Sequence, residues 1–284
     1  MSIKTICEVM DLNRSSYYLW VKRADSERKK ANKKLTHEIL KIHNQSKGRY
    51  GSPRITMTLR SMGYTCGFNR VALIMKKSGV FGCAKKKFKG ASGTDSKHNL
   101  PIAPRVFEVE TKAHFPKAPN QVWVSDTTYI ATREGWLYLT IQLDVFTRKI
   151  VGYSLSDHLK TSAVWESMRL ALTHQQGALS LKEPDLIAHS DRGCQYASEE
   201  YREKAKDLGI TQSMSRTGNC YDNAYAETFF HSFKVELVHR NDFQRRSDGE
   251  IATREYIDWY NNKRLHSGLG YQAPMDYERK ALAA

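Results

Sequence analysis

Gln121-Val122-Trp123-Val124-Ser125-Asp126-Thr127-Thr128-Tyr129-Ile130 is the stretch that decides the fold. Its β-branched and aromatic residues read as a strand over 121–131 with an acid inside it. Two more strands follow at 135–146 and 149–156, so the region opens as a three-stranded meander. A helix at 161–176, a strand at 185–190, a helix at 198–208, a short strand at 210–214 and a helix carrying Glu227 come next. Three antiparallel strands followed by alternating helices and strands are an α/β order. A final helix is expected over 247–261, with Ile251, Tyr256, Ile257 and Tyr260 inward.

Asp126 is the first of three acids placed where catalytic carboxylates sit. Asp191 ends the apolar run Leu186-Ile187-Ala188-His189-Ser190 and precedes the Arg192-Gly193-Cys194 turn, which exposes it at the sheet's edge. Glu227 opens a helix that Asp222 or Asn223 is positioned to cap. Between Asp191 and Glu227 lie 35 residues, and Lys234 follows Glu227 by seven, close to two helical turns, so both side chains leave one face. Phe229, Phe230, Phe233 and Leu237 make the apolar stripe of that helix, and Glu227, His231 and Lys234 lie off it. Hard carboxylate oxygens suit Mg²⁺, and a pair of such ions about 3.5 to 4 Å apart activates the attacking oxygen and stabilises the leaving oxygen of a phosphodiester. Asp144, at a strand end, competes as a ligand. His189 and His231 neighbour Asp191 and Glu227 respectively, and each is open to three readings: tuning the site, contacting DNA, or a hydrogen-bonded structural role. His37, His43, Cys66 and Cys83 lack the spacing of a zinc site.

The 284 residues carry a net charge of +15. Residues 1–119 hold +17 of it and residues 120–284 hold −2, which pairs a phosphate-attracting part with an acid-bearing part. The five cysteines are scattered and odd in number, no apolar run is long enough to span a bilayer, and no secretory signal is visible, so the expected location is the cytoplasm.

Short helices are expected at Ile3–Met10 and Ser15–Val21, and a charged helical segment with a thin apolar stripe over 23–47. Gly48-Arg49-Tyr50-Gly51-Ser52-Pro53-Arg54-Ile55 then turns into a helix ending near Met62, and a further helix runs from Asn69 to Ser78. Helix, short turn and helix are compatible with DNA binding through Arg49, Arg54 and Arg70. Lys85-Lys86-Lys87-Phe88-Lys89-Gly90 and the Ser/Gly/Thr run after it have the composition of a flexible basic linker able to track phosphates. The reading is therefore of three parts: a helical DNA-binding region at 1–82, a linker at 83–119, and a catalytic domain with a C-terminal helical extension at 120–284.

Trp-Val-Ser-Asp126-Thr-Thr-Tyr-Ile, His-Ser-Asp191-Arg-Gly-Cys-Gln-Tyr and Asp-Asn-Ala-Tyr-Ala-Glu227-Thr-Phe-Phe, with Lys234, resemble the D,D-35-E transposases with a retroviral-integrase-like core. The closing Tyr260-Asn-Asn-Lys-Arg264-Leu-His266-Ser-Gly-Leu269-Gly-Tyr-Gln-Ala-Pro274 narrows the resemblance to the downstream-frame (OrfB) segment of the bacterial insertion-sequence-three family. That resemblance implies a ribonuclease-H-like domain with a mixed five-stranded sheet, preceded by a small all-α helix-turn-helix-like region. It implies a transposase that nicks an element's 3′ end and transfers the freed strand. Asp126, Asp191 and Glu227 would bind Mg²⁺ (or Mn²⁺), and Lys234 would hold a phosphate. Arg264 and His266 are further candidates for DNA contact. The implied partners are double-stranded element ends and target DNA, further copies of the chain on that DNA, and the upstream-frame product; no membrane partner is expected. The rival readings are a ribonuclease-H-like nuclease without strand transfer and a noncatalytic DNA-binding regulator.

Overall fold

The computed structural model describes residues 2–83, 98–109, 114–175, 186–216 and 223–283. Lys85, Lys86 and Lys87 lie outside the described residues. The chain divides into two compact units, Met1–Cys83 and Ala84–Ala284.

The first unit is helical. α1 (Ile3–Val9) and α2 (Arg14–Lys22) precede α3 (Glu27–Gln45), α4 (Ser52–Ser61) and α5 (Phe68–Lys77). Leu35, Ile39 and Ile42 of α3 are buried with Ile55 and Leu59 of α4 and Val71, Ile74 and Met75 of α5, and these three stripes form the unit's core. Pro53 stands in the first turn of α4, where its missing N–H costs nothing, although the N-cap is Gly51 and not the expected serine.

In the second unit β1 (Val122–Thr132), β2 (Gly135–Asp144) and β3 (Ile150–Ser156) form the antiparallel meander. α6 (Thr161–His174) crosses to β4 (Ile187–Ser190), which lies parallel to β1. α7 (Cys194–Ala197) and α8 (Glu199–Asp207), separated by Ser198 as the second helix's N-cap, lead to β5 (Thr211–Met214), parallel to β4. The sheet order is β3-β2-β1-β4-β5, the mixed five-stranded, ribonuclease-H-like sheet that the sequence implied. α9 (Ala224–Glu236), α10 (Arg246–Asn262) and α11 (Pro274–Leu282) complete the unit.

Alternation along β1 sends its side chains to two separate cores. Val122, Val124 and Ile130 face Phe229 and Phe233 of α9 and Tyr256 and Tyr260 of α10. Trp123 faces the other way, onto Val164 and Met168 of α6 and Tyr196 and Tyr201 of α7 and α8. At Gly152 on β3 the backbone meets α6 so closely that a Cβ would stand 2.4 Å from the Ser167 carbonyl oxygen.

Two expectations are corrected here. Residues 98–109 and 114–119 belong to the catalytic unit and not to a linker: Phe107 is fully buried, its ring meets His189 edge-on at 5.4 Å, and the Val106 and Phe107 N–H groups donate to Ser213 Oγ. The helix at 246–262 is also not the last, because α11 follows it, opened by Pro274 and tied to the β2–β3 turn by a 2.7 Å Lys149–Glu278 ion pair.

Candidate active site

Asp126 projects from the middle of β1 on the face that α9 covers, one residue past the last position at which β1 pairs with β4. β4 pairs with β1 only through Val122–Ser125, so beyond Ser125 the β4-side edge of β1 opens, until Thr132 bridges to Phe243. Asp191 follows the last residue of β4 and accepts the Gly193 N–H at 3.0 Å, a bond that folds the turn back over the acid. Glu227 is exposed in the first turn of α9. The three acids thus come from a central strand, the neighbouring strand end and a packed helix.

Burial is the largest influence on Asp126 and pushes its carboxyl up to about 8; the charges of Asp191 and Glu227 push the same way. The Thr127 N–H at 2.7 Å and the Asn223 side chain oppose them. Burial also raises Glu227. Among the described residues no three acid, His or Cys side chains already close around one cation-sized point, so the acids share a field without forming a finished cage. Mutual repulsion of carboxylates gives the physical reason.

Asn223 is a member of this site that the sequence reading missed. Read as a helix cap, it makes no side-chain cap bond, and instead hydrogen-bonds Asp126. It is buried, and its Oδ1 is without a hydrogen-bond partner among the described residues. Its position four residues before Glu227, immediately preceding the helix, was the available signal.

Lys234 reaches from α9 to the open edge of β1, where its Nζ donates to the Tyr129 carbonyl and lies 4.3 Å from the Tyr129 ring. Burial lowers its ammonium to about 8. α9 itself is held rigidly. Phe229 meets Tyr260 edge-on at 4.9 Å and Phe233 meets Tyr256 at 5.3 Å, while at the helix's foot Glu236 accepts from Tyr256 and Arg264.

Beneath the sheet a buried polar chain joins the acids' supports. Tyr196, five residues after Asp191, shares a 2.9 Å hydrogen bond with Ser125, the neighbour of Asp126, and Gln142 Nε2 donates to both Ser125 and Ser167. The chain ties the turn after Asp191 to β1 through buried hydrogen bonds, and leaves Gln142 Oε1 without a partner among the described residues.

The competing candidates resolve into structural roles. Asp144 is buried and accepts from Asn120 N, Thr147 N and Thr147 Oγ1, which closes the β2–β3 turn; burial still lifts it to about 6. His189 is buried with Nδ1 at 2.9 Å from Ser213 Oγ, and His231 is exposed on α9. Arg264 is corrected as a DNA contact: it is buried, and its guanidinium grips Glu236 at 2.7 and 2.9 Å. Arg49 is likewise corrected, being buried within the first unit. Arg70 is held by Asn32 through two bonds of 2.8 and 2.9 Å, Arg54 lies 5.7 Å from the Tyr50 ring, and His266 accepts the Gly268 N–H as a cap.

A ribonuclease-H-like sheet with one acid on its central strand, one at the end of the neighbouring strand and one on a packed helix defines the class: a polynucleotidyl transferase with an integrase-type core. Integrase core domain models match residues 116–220 and 208–274, and an HTH-like domain model matches residues 30–88. The chain is 38% identical over 97% of its length to the insertion element IS600 uncharacterized 31 kDa protein of Shigella sonnei, covering 98% of that protein. It is 35% identical over 99% of its length to transposase InsF for insertion sequence IS3A of Escherichia coli (strain K12), covering 96% of it. A simian T-cell lymphotropic virus intasome aligns at a TM-score of 0.48 and 15% identity, over 84% of this chain and 74% of that one. The chain belongs to the IS3 family of transposases. Among the described residues no helix is long and apolar enough to cross a membrane.

Proposed function

We propose that this transposase nicks the 3′ ends of a bacterial insertion sequence and joins them to new DNA at a centre made by Asp126, Asp191 and Glu227, with Mg²⁺ or Mn²⁺ as cofactor. The observation that carries the reading is the charge coupling of the three acids at Asp126. The donor set fits a hard divalent cation: a carboxyl that burial first, and the charges of Asp191 and Glu227 second, hold protonated, and beside it the buried Oδ1 of Asn223, without a partner among the described residues. When bound, the metal would activate the attacking oxygen and neutralise charge on the leaving one.

The chain's own groups prepare that chemistry. Asp126 would hold the metal as a carboxylate, which the Thr127 N–H and the Asn223 side chain orient. Gly193 orients Asp191. Lys234, two turns along α9 from Glu227, places a cation where a substrate phosphate lies beside the acids. Element ends and target DNA are the substrates, met by further copies of the chain and by the upstream-frame product. DNA contact by the helical unit rests on Arg54 and Arg70; Lys85, Lys86 and Lys87, which follow that unit in the sequence, add phosphate contact.

Incubation of the purified chain with labelled element ends and Mg²⁺, together with the upstream-frame product, tests this. Nicking by the wild type, its loss in Asp126→Asn, Asp191→Asn and Glu227→Gln, and joining of a pre-nicked end are expected. Full activity of Asp191→Asn would sink the metal-ion reading. Cleavage with no joined product would favour the nuclease.

A further inference from the structure

The β1–β2 hairpin carries an aromatic surface that the chemistry above leaves unused. Trp136, in the second pair of β2 from the turn, sits opposite Ala131 in the ladder and is 49% exposed. Tyr129 meets it edge-to-face, with centroids 4.9 Å apart and planes at 77°. The alternation of the strand puts both rings on the sheet face opposite Asp126. Indoles are usually largely buried, so a half-exposed one beside an oriented phenol ring is a prepared surface.

Lys234 links this surface to the acids. It leaves α9 on the Glu227 side, passes the unpaired edge of β1, and ends on the face of Tyr129. Along β1, Tyr129 is three residues from Asp126, about 10 Å at roughly 3.3 Å per residue. A nucleic-acid strand covers that distance in about three nucleotides, at roughly 3.4 Å each. A phosphate met by the Lys234 ammonium therefore has a neighbouring base within reach of the rings. Cation and exposed π-face side by side are the pairing that single-stranded DNA presents in complement: anionic backbone and flat base.

We propose that Trp136 and Tyr129 form a stacking platform for an unpaired DNA base lying about three nucleotides from the phosphate at the acids, with Lys234 holding a phosphate of the same strand. The proposal rests on the DNA-transposase reading and adds a requirement to it, that the end frays before it is cut.

The test is fluorescence anisotropy of a labelled short oligothymidylate with the full chain in metal-free buffer, comparing wild type with Trp136→Ala and Trp136→Phe. Trp136→Ala is expected to bind about tenfold more weakly, since one base–aromatic stack is worth that much or more. Trp136→Phe, which keeps a ring, should stay close to wild type, and duplex affinity should not change. Wild-type protein should also photo-crosslink to an oligonucleotide carrying iodouracil, with the adduct at Trp136 or Tyr129. Equal oligothymidylate affinity in Trp136→Ala and wild type, or an adduct confined to other residues, overturns the platform. So does a Trp136→Ala protein whose sole change is weaker self-association in sedimentation, which would make the surface a contact between copies. Metal-dependent nicking is scored separately: a protein that nicks ends yet fails the oligothymidylate comparison loses the platform alone, and one that passes it without nicking loses the catalytic reading.

Discussion

Replacing Asp126 with asparagine should stabilise the metal-free protein while abolishing its chemistry. In the unfolded chain this carboxyl ionises at its ordinary 3.8, and in the fold at about 8. Near pH 7 the unfolded chain has gained about three pH units of ionisation free energy that the folded chain forgoes, or about 4 kcal/mol at roughly 1.36 kcal/mol per unit. Relaxation around the half-buried site will trim this, so Asp126→Asn should raise the unfolding free energy by about 2 to 4 kcal/mol near pH 7. The sign follows from a raised acid: the wild type keeps its full stability below the unfolded value and loses it progressively as pH climbs from 3.8 toward about 8. The gap between variant and wild type should therefore close as pH falls toward 4. Saturating Mg²⁺ or Mn²⁺ should narrow it at neutral pH, by about 2.7 kcal/mol when metal stands at about a hundred times its dissociation constant. Urea denaturation across pH, with and without metal, measures all three effects. A variant no more stable than wild type at neutral pH, or a difference that ignores pH, would refute the raised carboxyl that burial and the neighbouring acids give Asp126.

Arg264→Ala should cost about 3 to 5 kcal/mol and lower the melting temperature sharply, because Glu236 is left charged and buried; loss of DNA affinity at an unchanged melting temperature would restore Arg264 to the DNA surface. Phe107→Ala should destabilise the catalytic unit by about 3 to 5 kcal/mol and open 98–109 to limited proteolysis, whereas a linker residue would change neither. Gly152→Ala forces a Cβ against the Ser167 carbonyl and should cost about 1 to 3 kcal/mol, read by thermal denaturation. Tyr196→Phe removes the hydroxyl that joins Ser125 and should slow end nicking while leaving DNA affinity as it was; an unchanged nicking rate would show that the buried chain is mere packing.

How much of this was legible in the chain depends on the range of the interaction. The meander was readable because β1, β2 and β3 alternate locally, and the face of α9 because Phe229, Phe230 and Phe233 recur at helical spacing. The placement of Asp126 on β1, of Asp191 just past β4 and of Glu227 in the first turn of α9 was readable from ordered motifs. Arg264 was not, because a guanidinium offers the same chemistry to a phosphate and to Glu236, and the choice is made 28 residues away. Residues 98–109 took on the colour of the lysine-, serine- and glycine-rich run before them, although Phe107 and Val106 dock on Ser213 and His189. Asn223 has the composition of a cap, and only the position of β1 shows that it turns toward Asp126 instead. Pro274 announced α11 in the ordinary way, as a helix-opening proline, and was overlooked as the end of a motif.

The unpaired rim of β1 between Asp126 and Thr132 has a consequence for the protein's life outside any reaction. Amide and carbonyl groups left open along a strand invite another molecule's strand to add to them, and a lysine seated at the middle of such a rim is a common deterrent. Lys234 occupies that seat through the Tyr129 carbonyl. Shortening it would leave the molecule prone to intermolecular sheet growth, so a Lys234 variant scored as inactive must be checked for precipitation before its loss is ascribed to chemistry.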